Sequence, residues 1–234
     1  MVAKNLASKI KDRNIQALTL FLVSLVIFNI AFISTGGWAR LFWNLAGYAV
    51  IYSAYRFANL NLSSIGLSAN KIKPGLKYGI SIIGIIAVGM LIVFFIDKTA
   101  FKDPRYHHNL FTALYAAAVL LPLKTVLFEE LAFRGILPAI CLKIKNQRRF
   151  ATIVSSLAFG LWHVYSATKI GDYSLSDTIV IPNVAVLFGV FVATSVAGYL
   201  FCELRWRSGS LIAPITVHWF INGFGLILAS LSWK

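Results

Sequence analysis

Acidic residues are scarce in this chain: 8 Asp and Glu stand against 22 Lys and Arg in 234 residues, for a formal charge of +14. Charged residues of both signs make up only 13%, while 59% are hydrophobic. A soluble domain of this length carries roughly 25% charged residues, so the shortage excludes one and places the chain in a bilayer. Cysteine is almost missing too. Cys141 and Cys202 share no spacing with a thiol motif, which excludes a disulfide framework and a Cys-rich metal site and leaves two small core residues. The basic excess does not mark a nucleic-acid partner, because the cations are scattered between apolar runs instead of gathering on one face. Internal repeats and low-complexity segments are absent, so residues 1–234 are expected to form a single integral membrane domain.

Long apolar runs predict an all-α, polytopic membrane helical bundle of about seven transmembrane helices, each long enough to cross roughly 30 Å of hydrocarbon. The spans are expected near Ile15–Ser34, Leu41–Tyr55, Tyr78–Ile96, Leu110–Leu142, Phe150–Ser166, Ile179–Phe201 and Leu211–Trp233. The basic segment before Ile15 leads into the first span without a small-residue cleavage site and reads as a retained signal anchor. The fourth run is too long for one straight span, and a kink or interruption near Pro122 or Pro138 would absorb the excess. His107 and His108 lie in a mixed-charge loop with no third ligand nearby and read as solvated. With seven spans, the amino terminus, the Lys71–Lys77 segment, the Lys143–Arg149 hinge and Arg205/Arg207 share one side. That side is the more basic, so a multi-pass protein of the cell membrane with a cytoplasmic amino terminus is expected.

Within these runs a few polar side chains stand where packing has no use for them. Phe128-Glu129-Glu130-Leu131-Ala132-Phe133-Arg134 puts two carboxylates and a guanidinium in an apolar stretch, where an unpaired charge is costly. Glu130 and Arg134, Phe159 and His163, and His218 and Asn222 are each four apart, one above the other on an α-helix. Glu129 and His163 both lie about 14 residues from the basic hinge, on the order of 20 Å along their helices, and His218 lies about 9 residues from Gly209. One cavity could collect them all.

These three spacings, in this order, resemble the motifs of the CPBP family, the CAAX-protease and bacteriocin-processing (Abi) intramembrane peptidases. Arg207-Ser208-Gly209-Ser210-Leu211 and Pro214 look like that family's lead-in to its last motif, and the resemblance covers roughly Leu110–Leu228. It implies a membrane endopeptidase in which Glu129 activates water with help from His163. Glu130 and Arg134 orient, and His218 and Asn222 stabilise the oxyanion. The implied partners are the bilayer and a peptide or protein substrate, which the apolar content allows to be membrane-associated. No segment reads as a prenyl pocket, and the basic inner face suits equally a relative that processes peptides or gives bacteriocin immunity. Two Glu and two His can also ligate zinc, but the His-Glu-x-x-His helix of zinc peptidases is absent, so a metal-independent mechanism is favoured and zinc remains possible. The rival reading is a non-catalytic regulatory or immunity protein that binds a partner and keeps the polar cluster as internal glue. A transporter is less well supported, since no inverted repeat is visible.

Overall fold

A computed structural model describes residues 2–103, 110–168, 173–176 and 179–233. His107, His108 and the polar segment 169–172 lie outside the described residues. Seven long helices follow one another: α1 (Val2–Ser34), α2 (Gly37–Phe57), α3 (Ile72–Ile96), α4 (Leu110–Ile144), α5 (Arg148–Ala167), α6 (Asn183–Ser208) and α7 (Ile212–Leu231). The all-helical bundle is interrupted by one short antiparallel pair, β1 (Tyr173–Ser176) with β2 (Ile179–Ile181), in which Tyr173 faces Ile181. Among the described residues, every long helix except α2 is long and apolar enough to cross a membrane. The chain is a multi-pass membrane protein.

The stretch expected as the second span is helical but carries Arg40, Asn44 and Arg56 within 21 residues, and these polar heads take it below the apolarity of the other six. Two boundaries also moved. The third helix begins before the expected Tyr78, because Pro74 in the first turn of α3 loses no hydrogen bond there, and Lys73 and Lys77 join the helix. The sixth helix runs past its expected end near Phe201, and Arg205 and Arg207 form its last turn, where cations suit the carbonyl end of the helix.

The chain divides into two compact units, each built from separated pieces of sequence: Met1–Ile65 with Leu131–Glu203, and Gly66–Glu130 with Leu204–Lys234. In the first, α1 packs on α2, on α5 and on the end of α4. Phe28 stacks on Trp162 with ring centroids 5.8 Å apart, and Asn29 Nδ2 donates to the Trp162 carbonyl at 2.7 Å. Lys143 Nζ donates to the carbonyls of Ala58 and Asn59, both at 2.7 Å, satisfying the chain where α2 ends. An apolar groove of about 490 Å³ runs between α1 and α5, lined by Leu22, Val26, Ile30, Leu157 and Leu161 among others.

In the second unit α3 packs on α7. Gly75 and Gly79 are the buried residues of α3, while Ile85 and Phe95 are 75% and 81% exposed, a distribution suited to hydrocarbon and untenable in water. A Cβ at Gly75 would collide with the Ser210 side chain, and one at Gly79 with Thr216 Oγ1, so the absence of side chains lets the two backbones close. Gly209, at φ +65°, makes the turn between α6 and α7. Ser210 Oγ accepts from the Ile212 N–H at 3.2 Å, and the Leu211 N–H donates to the Gly66 carbonyl at 2.8 Å, so the start of α7 is held from two directions.

Candidate active site

The long fourth run does not break at its prolines. It widens into π-helix at Ala116–Leu120, Pro122–Val126 and Leu131–Ile136, and these wider turns take up the extra length. A proline has no N–H for the α-helical bond four residues back, and a π turn tolerates that loss by shifting the pattern. Glu129 and Glu130 occupy the single α-helical stretch, Leu127–Glu130, between the second and third π segments. Side chains of other helices engage carbonyls inside two of these π segments. The Trp219 Nε1–H donates to the Ala117 carbonyl at 2.8 Å, and the Ser155 hydroxyl donates to the Phe133 carbonyl.

Glu129, Glu130 and His218 come together in the second unit. Their exposures are 5%, 0% and 6%, so none is simply solvated. His218 Nδ1 lies 2.8 Å from Glu130 Oε1, and its Nε2 lies 3.9 Å from Glu129 Oε2. An ionised carboxylate only accepts, so Glu130 holds the proton at Nδ1 and fixes which nitrogen faces Glu129. The 3.9 Å separation is too long for a direct hydrogen bond between Glu129 and the ring. Asn222 is one turn further along α7. It is half-buried and hydrogen-bonds to none of the described residues.

Arg134, Phe159 and His163 come together in the first unit. The Arg134 guanidinium, fully buried, lies over the Phe159 ring with its carbon 3.9 Å from the centroid. The same ring meets the His163 imidazole edge-to-face at 4.5 Å. His163 Nδ1 is 2.9 Å from the Phe159 carbonyl. A carbonyl only accepts, so Nδ1 carries the proton and Nε2 is the acceptor of the neutral ring. Phe159 is thus the ring that connects the cation of the first motif to the histidine of the second.

Within the second unit, then, stand Glu129, Glu130 and His218 with Asn222 one turn along α7, and within the first stand Arg134 and His163 about Phe159. The contact of Glu130 with His218 was not visible in sequence, where four-residue spacing pointed Glu130 only towards Arg134. Phe201, also in contact with Arg134, had no motif to announce it. Among the described residues no group of three or more His, Cys, Asp or Glu is placed to hold a metal ion.

One family model matches the chain, that of type II CAAX prenyl endopeptidase Rce1-like proteins, over residues 109–224. The matched segment includes all three motifs. No curated protein and no solved structure matches the chain.

Proposed function

Because this chain belongs, through residues 109–224, to the Rce1-like type II CAAX prenyl endopeptidases of the CPBP family, a protease family, we propose that it hydrolyses a peptide bond with water activated by Glu129. The observation that carries the proposal is the buried trio of Glu129, Glu130 and His218, with His218 bonded to one carboxylate and facing the other. Glu129 takes a proton from water as its oxygen bonds to the carbonyl carbon. The tetrahedral oxyanion collapses, the C–N bond breaks, and Glu129 returns the proton to the leaving amine. His218 enters the reaction as the imidazolium, its charge balanced by Glu130, and keeps both protons throughout: Nδ1 donates to Glu130 and Nε2 to the oxyanion. Asn222 adds an amide donor that carries no charge. Arg134 and His163 enter this reading by their places in the motifs, the first as an orienting group and the second as a partner of the attacking water.

The substrate in this reading is a peptide or protein segment presented at the membrane, and the donors named act without a bound metal. Purified active protein is expected to keep its turnover in a strong chelator and to show no stoichiometric metal by elemental analysis. One zinc per chain, lost together with activity, would overturn the glutamate mechanism.

Asn222→Ala is expected to lower kcat by about a hundredfold with little change in KM, the usual loss when one oxyanion donor is removed. Asn222→Asp should be as poor, since a carboxylate repels the developing charge. A folded Asn222→Asp protein that cleaves at the normal rate rules out the oxyanion role.

The amino terminus is proposed to face the cytoplasm of a cell membrane, on the asymmetry of Lys and Arg between the two sides. In a Cys-free background, Lys73→Cys, Arg148→Cys and Arg207→Cys are expected to react with an impermeant thiol reagent only from the cytoplasmic side. Labelling of any of the three from outside would refute that orientation.

A further inference from the structure

The Arg134 guanidinium lies within reach of a second ring. Its carbon lies 5.0 Å from the ring centroid of Phe201, a 9% exposed side chain of α6, as well as 3.9 Å from that of Phe159 on α5. Both distances fall within the range in which a ring face attracts a cation, and the attraction grows as water is excluded. Phe201 reaches this position because α6 approaches α5 closely one turn earlier. A Cβ at Gly198 would stand 3.1 Å from Ser156 Cα and 3.3 Å from Phe159 Cδ1, so glycine lets the helices close and Phe201, three residues on, follows the same face inwards.

We infer that Phe201 is a positioning residue for Arg134, the second jaw of an aromatic clamp whose first jaw is the motif residue Phe159. Two rings within cation–π range attract the planar guanidinium through its charge, while its N–H groups serve polar partners. A lysine in the same place would present a compact, strongly hydrated charge without that plane. The effect extends beyond Arg134, because the Phe159 ring also abuts His163 at 4.5 Å and is braced by the Phe133 ring at 5.3 Å. Phe201, Arg134, Phe159 and His163 form a continuous row within one unit, and a change at its outer end reaches two residues of the proposed catalytic set. The inference rests on the peptidase reading for its effect on turnover, and on the clamp geometry alone for its effect on stability.

The test uses the full-length protein in lipid, with Phe201 replaced in turn by mono-, di- and trifluorophenylalanine. These analogues keep the shape of the ring and progressively weaken its negative face. We expect kcat to fall in steps, by about tenfold at the trifluoro analogue, with KM unchanged. Phe201→Tyr should retain turnover and Phe201→Leu should not. A flat fluorine series overturns the positioning role. Independently, Tm is measured for Phe201→Leu, Arg134→Met and the double variant. The loss from Phe201→Leu should shrink severalfold once Arg134 is gone, and strictly additive losses overturn the clamp. Wild-type protein that cleaves no peptide while this coupling persists overturns the peptidase reading and leaves the clamp standing.

Discussion

Glu129→Gln in purified protein is expected to lower kcat for peptide cleavage by about a thousandfold while leaving KM within a few fold, since a positioned general base contributes roughly 10² to 10⁴ in rate. Glutamine keeps the size and hydrogen-bonding capacity of the side chain and loses only the lone-pair basicity that takes the proton from water. Folding should be unharmed. Glutamine keeps an acceptor oxygen at the buried position, and His218 retains its 2.8 Å contact with Glu130. Insertion and Tm measured beside kcat separate a chemical loss from a structural one. Wild-type turnover in this variant would remove Glu129 as the base. A variant that cleaves nothing yet preserves the protein's effect in cells would favour the rival reading, a membrane protein that acts by binding.

The second large effect is expected at Glu130, through the histidine it holds. Glu130→Gln should cut kcat by about a hundredfold or more, although the side chain is nearly isosteric. The carboxylate accepts only, whereas an amide can either accept from Nδ1–H or donate to a bare Nδ1, so the ring loses its enforced tautomer and the charge that favours its doubly protonated form. Glu130→Ala should add a folding defect of about 1–3 kcal/mol, because His218, 6% exposed, would keep a buried N–H without an acceptor. The comparison is read in kcat, KM and Tm for both variants. Normal kcat in Glu130→Gln would show that His218 needs no orientation from this residue.

Hydropathy made the membrane helices legible because a span is a long run whose signal survives local noise. The three motif spacings were legible for the same reason: each is local. What escaped was everything that depends on a partner far along the chain. Glu130 and His218 are 88 residues apart, and no periodicity links them. The π segments of α4 escaped because their amino acids are ordinary helix formers and only Pro122 hinted at a disturbance. Arg40 and Arg56 weaken the apolar signal of the second run, and the pairing of Tyr173 with Ile181 lay in a stretch too short for a strand signal.

The π segments give α4 a property best stated as angular phase. Ahead of the glutamates, Ala113 and Ala117 pack against Leu226 of α7, and the Trp219 N–H grips the Ala117 carbonyl, fixing the azimuth of α4 at that level. Between that anchor and Glu129 lies the widened stretch Pro122–Val126. A π turn holds an additional residue, so losing a single residue there would let the stretch relax to ordinary α-helix with the chain still helical. Every side chain downstream would then swing by about 100° around the axis while Ala117 stayed in place. Glu130 would leave His218. The widened turns thus act as a vernier between a packing anchor and a chemical group, which makes residue count in this stretch as consequential as residue identity.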